Sequence, residues 1–163
     1  MDLKQFLELF NPYPGSSYLQ ITDKVDETTD LLYKLMQNVD GVLNLVIYSD
    51  KDENLSEIYP DANIQYIKNL TQPFRALPRT NDIVIFKDIF HKHIKQETIL
   101  KIAYTTLANA AEIIIMHKKG TADTNEILEM LERFEFRSQN QIDVLDKYDL
   151  VMAKKLHMWG NGL

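Results

Sequence analysis

The sequence contains no cysteine and little glycine, proline or tryptophan. Among its 163 residues, five are glycine, five are proline and one is tryptophan. The absence of cysteine excludes disulfides, thiolate metal ligands and thiol nucleophiles, and it fits a cytoplasmic location. The five glycines do not form the fingerprint with which Walker-type or dinucleotide-binding proteins hold phosphate groups.

Long hydrophobic runs and clusters of positive charge are also missing. No apolar run approaches the roughly 18 residues of a membrane span, and residues 1–5 carry an acid with no long apolar segment behind them. We therefore expect neither contact with a membrane nor a secretory signal. The formal net charge of −6 argues against nucleic acid as the main partner, because no basic face is evident.

The length and composition are those of a single globular domain. The hydrophobic fraction is 45% and the charged fraction is 26%, and 163 residues are enough for a substantial core. We predict one domain over residues 1–163, with an N-terminal helix and loop in residues 1–15 and a tail in residues 156–163. The only tryptophan, Trp159, lies in that tail. It either packs back on the domain or contacts a protein partner or a second copy.

Short apolar runs bounded by turn residues predict a series of β-strands. The clearest is Ile83–Phe86, which is apolar throughout and follows the turn-forming pair Asn81-Asp82. Such a run is typical of a strand that is buried on both faces in the middle of a parallel sheet. Related patterns predict six further strands, over residues 17–22, 42–48, 63–68, 111–116, 137–145 and 149–155.

Apolar residues at helical spacing predict helices between these strands. Asp26 is a plausible N-cap for a helix. Gly41 should close the same helix, because glycine tolerates the left-handed conformation that a helix end needs. A longer helix is predicted over residues 95–109, and Asp123 is expected to open another.

The alternation of strands and helices predicts an α/β fold. We expect a Rossmann-like three-layer α/β/α sandwich, with a mainly parallel seven-stranded sheet covered on both faces. The short polar connection 146–148 predicts that the last two strands form a C-terminal antiparallel hairpin. Ligands of open α/β sheets bind outside the carboxyl ends of the strands. A polar cluster follows the central strand at that edge: Lys87, Asp88, His91, Lys92 and His93.

The order of these elements resembles the class I S-adenosylmethionine-dependent methyltransferase fold over residues 17–155. Residues 81–93 are similar to the fourth strand and following loop of that family, where an acid precedes an apolar run and a short polar segment that often contains histidine. Residues 111–120 resemble the fifth strand with its loop, and residues 148–155 resemble the last strand. None of these pieces is a strict motif, but their ordered co-occurrence favours the fold.

The resemblance implies that S-adenosylmethionine binds at the carboxyl ends of the strands. Asp50 matches the acid that bonds the ribose of the methyl donor, and a carboxylate can accept hydrogen bonds from two vicinal hydroxyls. Asn69 falls near the position that contacts adenine. The full set that the resemblance assigns to the cofactor is Thr22, Asp23, Asp50, Asn69 and Lys87.

The same resemblance places Asp88 and His91 in the loop that borders the transferred methyl group. It implies that Asp88 or His91 orients or deprotonates the acceptor, and histidine suits a base because it titrates near neutral pH. The acceptor would be a small molecule or a macromolecule. The enzyme would act mainly by holding the methyl donor and the acceptor in line.

The resemblance departs from the family in the first βα turn. Family members usually carry a glycine-rich loop there, whereas residues 21–26 contain no glycine. A second hypothesis is therefore a non-catalytic methyltransferase-like domain that serves as an interaction or oligomerisation module. A third is that the crevice binds another nucleotide or a small acid. An open pocket ending at Asp50 favours the enzyme, whereas a pocket filled by Lys24, Val25 or Tyr18 favours the module.

Several of the candidate residues also have an ordinary structural interpretation. Asp50 can be a solvated acid at a strand end, and acids near Asp26 can stabilise a helix N-terminus through the helix dipole. His91 and His93 can be surface histidines of a loop. We do not expect a metal site at this His-x-His pair, because no third ligand is evident from the sequence.

Overall fold

A seven-stranded sheet forms the middle layer of the molecule. The computed structural model describes residues 1–51 and 53–156. The strands are β1 (Ser17–Thr22), β2 (Val42–Tyr48), β3 (Asn63–Ile67), β4 (Asn81–Lys87), β5 (Leu107–Lys118), β6 (Phe136–Ile142) and β7 (Tyr148–Lys155). Their order across the sheet is β3-β2-β1-β4-β5-β7-β6, which places β4 in the centre and β3 at an edge.

The strand directions confirm the predicted fold class. Strands β1 to β5 run parallel to one another, whereas β7 is antiparallel to both β5 and β6. The chain builds β1, β2 and β3 outward in one direction and then returns to place β4 on the other side of β1. This reversal creates a crevice between the carboxyl ends of β1 and β4, where ligands of such sheets bind.

Helices cover both faces of the sheet. They are α1 (Lys4–Leu7), α2 (Glu27–Asn38), α3 (Leu55–Ile58), α4 (Gln96–Thr106) and α5 (Thr124–Arg133). One buried cluster joins the sheet to α1, α2 and α3, and the other joins it to α4 and α5. Strand β4 contributes to both, since Ile85 faces the first cluster and Phe86 the second, each fully buried. This two-sided burial explains the uninterrupted apolar run.

Both predicted N-caps are present. The Asp26 carboxylate accepts a hydrogen bond from the Thr28 amide at 2.9 Å, and the Thr29 hydroxyl accepts one from the Asp26 amide. The Asp123 carboxylate accepts hydrogen bonds from the amides of Asn125 and Glu126. These bonds satisfy amides in the first turn that have no partner within the helix.

The end of α2 differs from the prediction for Gly41. The left-handed residue is Asp40, with a φ of 52°. The Gly41 amide donates to the Met36 carbonyl at 2.7 Å, and a Cβ atom on Gly41 would clash with the carbonyl oxygen of Ser16. Glycine is required at this position because two backbone segments approach closely, and not because of its φ angle.

The predicted helix over residues 95–109 ends earlier in the structure, at Thr106. Leu107 already pairs with Asn81 of β4, and the register then shifts before Glu112 pairs with Ile83. Ala110 lies in this irregular part of β5 with a φ of 66°. Pairing with the central strand therefore takes residues 107–109 out of a segment whose local pattern favours a helix.

The end of one further strand differs from the prediction. Strand β6 ends at Ile142 and not at residue 145, so the connection to β7 spans residues 143–147. Between β3 and β4 the chain crosses the sheet in residues 68–80, all of which are described, without forming a helix.

Among the described residues, no helix is long and apolar enough to cross a membrane. The prediction for Trp159 falls outside the described residues.

Candidate ligand-binding site

Two adjoining cavities open at the carboxyl edge of the sheet. The first, which we call the β2 cavity, has a volume of about 390 Å³ and is lined by Asp50, Asn69, Asp23 and Lys92, among others. The second, the β4 cavity, has a volume of about 480 Å³ and lies in the crevice between β1 and β4. Both volumes fall in the range of small-molecule sites.

An ion pair lies at the boundary between the two cavities. The Lys92 ammonium lies 3.0 Å from the Asp23 carboxylate, and both side chains line both cavities. These side chains are 43% and 36% exposed, so the pair is worth little in water and can exchange partners at low cost. The ion pair therefore divides the crevice without closing it permanently.

A buried ammonium ion forms the base of the β4 cavity. The side chain of Lys87 is only 4% exposed, and its Nζ lies 2.8 Å from Asp26 and 2.9 Å from Asp88. Burial lowers the pKa of the Lys87 ammonium, but its hydrogen bonds with Asp26 and Asp88 outweigh this effect and raise the pKa above its ordinary value. The Lys87 ammonium is therefore charged at neutral pH, and it is already paired with two carboxylates.

Asp88 is held in place by both its backbone and its side chain. It has a φ of 61°, and its Oδ2 accepts hydrogen bonds from Lys87 and from the Tyr148 hydroxyl at 2.8 Å. Burial would raise the pKa of the Asp88 carboxyl, but these two hydrogen bonds keep the pKa below its usual value. Burial, together with the hydrogen bond to Asp88, raises the pKa of Tyr148 to about 12. Asp88 is thus a fixed carboxylate, and Tyr148 is a neutral donor.

Side chains of β1 and α2 tie the first βα turn together. Gln20 of β1 is fully buried, donates to the Thr28 hydroxyl at 3.0 Å and accepts from the Thr29 hydroxyl at 2.7 Å. The Thr28 hydroxyl in turn donates to Asp26. The Thr22 hydroxyl bonds to the backbone of Lys24 within the same turn. In this chain, polar contacts therefore organise a turn that carries no glycine.

The two histidines of the His-x-His pair point to different places. His91 lines the β4 cavity, whereas His93 is buried beside Tyr48. His93 Nδ1 accepts from the Lys95 amide at 2.8 Å, so its Nε2 carries the hydrogen and donates to the Gln72 carbonyl at 3.2 Å. His93 is therefore a structural residue. No group of three or more metal-ligating side chains occurs in the described part of the chain.

The residues predicted at the ends of β2 and β3 meet in one cavity. Asp50 and Asn69 are both exposed and both line the β2 cavity. Lys24, Val25 and Tyr18 are absent from the described lining of this cavity, and Tyr18 belongs to the core on the side of α1. The pocket at Asp50 is therefore open.

Three residues at this edge are not predicted as site residues by the sequence. The sequence predicts Asp26 as an N-cap, and it places Tyr148 at the junction of a turn and the segment that resembles the last strand. His117 follows the strand predicted over residues 111–116, but it is the fully buried penultimate residue of β5. A usable signal existed for His117, since β5 is parallel to β4 and ends at the same edge of the sheet.

Comparisons with known proteins identify the architecture. No protein-family model matches the sequence, and no curated protein matches it either. A structural search finds many similar solved structures. A SAM-dependent methyltransferase from Aquifex aeolicus has a TM-score of 0.73 and 16% identity over 95% of this chain and 90% of its own. A TehB-like SAM-dependent methyltransferase from Corynebacterium glutamicum has a TM-score of 0.71 and 12% identity, over 93% and 86%.

Larger methyltransferases match as well. Phosphoethanolamine N-methyltransferase 2 from Haemonchus contortus, in complex with S-adenosyl-L-methionine, has a TM-score of 0.74 and 9% identity over 95% of this chain and 52% of its own. This chain spans about half the length of that enzyme and of the CurJ carbon methyltransferase, which it also matches. The predicted resemblance in fold is therefore confirmed.

Proposed function

We propose that this chain, which has the class I S-adenosylmethionine-dependent methyltransferase fold, binds S-adenosylmethionine and transfers its methyl group to a small-molecule acceptor. The observation that carries the proposal is the open β2 cavity that ends at Asp50. An open pocket at this carboxylate is what the enzyme hypothesis predicts, and a filled one is what the non-catalytic module predicts. The β4 cavity, which adjoins it, offers space for the acceptor.

The β2 cavity fits the adenosine part of the donor. Asp50 lies at the end of β2 and would accept hydrogen bonds from the two ribose hydroxyls. Asn69 follows β3 on the far side of the same cavity and would offer its amide to the adenine. Both side chains are exposed, so ligand binding would not have to break a buried contact.

The boundary between the cavities fits the charged methionine part. S-adenosylmethionine carries a carboxylate, an ammonium group and a sulfonium. Asp23 and Lys92 offer one charge of each sign at this boundary, and their exposed ion pair can be exchanged for bonds to the ammonium and the carboxylate. Lys87 and Thr22 would contribute less directly, since Lys87 is paired with two acids and Thr22 bonds within the turn.

The β4 cavity supports different roles for Asp88 and His91. S-adenosylmethionine supplies a methyl group on a sulfonium sulfur, which keeps the bonding electron pair as the thioether leaves. Asp88 would orient the acceptor, because a carboxylate with a lowered pKa is a weak base. His91 would accept the proton, because it lines the cavity and is neutral at pH 7: burial, His117 and Lys92 lower its pKa.

The proposals for where the protein is located and whether it assembles with a partner rest on the sequence alone. The absence of cysteine favours a reducing compartment such as the cytoplasm. Assembly through the tail around Trp159 stays a prediction of the sequence. Truncation after Leu156 followed by gel filtration would detect it.

Calorimetric titration of the full chain with S-adenosylmethionine and S-adenosylhomocysteine tests the proposal. We expect binding by the native chain, and about 10-fold or greater weakening in Asp50→Asn, because a hydrogen bond to a charged group is worth about 1.5–3 kcal/mol. Glu129→Gln makes the same chemical change on the exposed surface of α5 and should leave binding unchanged. Absence of heat at millimolar concentrations of both ligands would favour the non-catalytic module instead.

A further inference from the structure

His117 is a fully buried histidine whose ring nitrogens have no hydrogen-bond partner among the described residues. The buried Nδ1 of His91 is in the same condition. Leaving a buried polar atom without a partner is costly, and folded proteins rarely tolerate it unless water, a ligand or a function is involved. Three such nitrogens in two neighbouring rings therefore call for an explanation.

The two rings lie in sequence between the β4 cavity, which His91 lines, and Asp149 of β7, which is near His117. The ring centroids of His91 and His117 are 5.6 Å apart and their planes are tilted by 54°, so the two rings are direct neighbours. His117 Nε2 lies 3.9 Å from Asp149 Oδ2, too far for a direct hydrogen bond. The Asp149 side chain is 20% exposed, so the path reaches solvent there.

The charge state of both rings suits proton transfer. Burial lowers the pKa of His117, opposed by Asp149 of β7 and by Asp88. Burial, His117 and Lys92 lower the pKa of His91, opposed by Asp88 and Asp23. Both imidazoles are therefore neutral at pH 7, and each then has one nitrogen that donates and one that accepts. A ring of this kind can take up a proton on one side and release another on the opposite side.

We propose that His91 and His117 form a proton relay from the β4 cavity to Asp149. It rests on the proposed function, in which the acceptor atom loses a proton as it gains the methyl group. The proton passes to the cavity side of His91, and His91 releases one from Nδ1 through a water molecule to His117. His117 releases one toward Asp149 and solvent, and each ring ends neutral. His117 acts through His91 and is a relay residue, not one that touches the acceptor.

His93 provides the internal control for this relay. It is also buried, but its two nitrogens are occupied by the Lys95 amide and the Gln72 carbonyl. A buried histidine with fixed partners exchanges its ring hydrogen only when the structure opens. A histidine in a water-connected relay exchanges it without such opening.

Exchange of the histidine ring hydrogens with water, measured by NMR on the full chain with ¹⁵N-labelled histidine, tests the relay. In the native chain we expect the His117 ring hydrogen to exchange at least 10-fold faster than that of His93. Asp149→Asn closes the outer end while keeping the size of the side chain and its contact with Gln141. In that background, adding His91→Phe should slow exchange at His117 at least 10-fold and leave His93 unchanged.

Two outcomes would overturn the relay: equal exchange at His117 and His93 in the native chain, or no effect of His91→Phe in the Asp149→Asn background. If His91→Phe does not fold, His91→Gln replaces it, since glutamine is polar but does not carry a proton onward. The measurement needs no methyl donor. A chain that fails to bind S-adenosylmethionine but exchanges as expected would disprove the proposed function while leaving the proton path intact.

Discussion

One glycine sets how closely the end of α2 approaches the start of β1. Gly41 lies against the Ser16 carbonyl, and Asp40 beside it carries the left-handed φ that glycine would tolerate better. The sequence predicts that a helix ends here, because glycine follows the last apolar residue. The sequence does not reveal which of the two adjacent residues adopts the left-handed backbone conformation, because that depends on contact with a segment that is distant in the chain.

Because of this arrangement, substitutions at Asp40 and Gly41 should change the stability of the protein in opposite directions. Gly41→Ala should destabilise the protein by about 1–3 kcal/mol, because the added methyl group overpacks against backbone that cannot yield easily. Asp40→Gly should be neutral or stabilising, because it relieves a left-handed conformation that costs an ordinary residue about 1–2 kcal/mol. Equilibrium unfolding in urea measures both. The reverse order of stabilities would show that Gly41 is the left-handed residue.

The N-terminus of α2 combines a helix cap with a buried ion pair. Asp26 caps the helix through Oδ1 and contacts Lys87 through Oδ2. The cap is visible in the sequence as a local pattern. The ion pair is not, because Asp26 and Lys87 are brought together only by the pairing of β1 with β4, in which Thr22 lies beside Lys87.

A comparison of two capping aspartates separates these contributions. Asp123→Ala should cost about 0.5–2 kcal/mol, since Asp123 is an exposed cap with no cation bonded to it among the described residues. Asp26→Ala should cost at least about 1 kcal/mol more, because it also leaves the buried Lys87 ammonium with one carboxylate in place of two. Urea unfolding of both variants gives the difference. Equal losses would mean that the Asp26–Lys87 pair contributes nothing to stability.

Strand β5 shows where element boundaries escape a local analysis. Residues 107–109 continue the apolar spacing of α4, yet they belong to the sheet because Leu107 pairs with Asn81. The Lys155 ammonium donates to the Leu107 carbonyl at 2.8 Å and secures this start. The spacing of apolar residues in the sequence predicts which helices and strands form and in what order. The residue at which a helix ends and a strand begins depends on which segments lie next to it in the folded structure.

Buried neutral histidines give the whole molecule a dependence on pH. Burial lowers the pKa of His91, His93 and His117 below the ordinary 6.5. The unfolded chain therefore takes up protons at a higher pH than the folded chain. Where the unfolded state binds more protons, stability falls as the pH falls.

We expect the free energy of unfolding to decrease as the pH is lowered below about 6.5, by at most about 1.4 kcal/mol per pH unit for each histidine. The Asp88 contribution acts separately: it is present above the ordinary carboxyl pKa of 3.8 and is lost as the pH falls through the lower folded value. Urea unfolding at pH 7.5 and 5.5 measures the loss, and His117→Phe should reduce it. A stability that is flat or rises on acidification would contradict the neutral state of these rings.

The sequence predicts the fold of the molecule better than its candidate site. All seven strands and the antiparallel hairpin are predicted, the inner strands from apolar runs and β3 from alternation, although β6 is mostly polar. Asp50 and Asn69 were expected at strand ends and do share a cavity. The partners of Lys87 and the neighbours of His117 are not predicted by the sequence. The reason is that contacts at the edge of a parallel sheet join residues from separate crossover connections. A local sequence pattern does not indicate which side chain of another crossover connection a given residue will contact.

The position of β1 between β2 and β4 has a consequence for the growing chain on the ribosome. Once residue 48 has emerged, β1 and β2 can pair, but the other edge of β1 stays open until residues 83–87 arrive. During that interval the nascent chain presents apolar strand backbone to any other chain nearby. Parallel pairing over such separations is also slow, because a long loop must close first. The strand order that creates the crevice thus also sets an interval of synthesis in which one edge of an apolar strand has no partner.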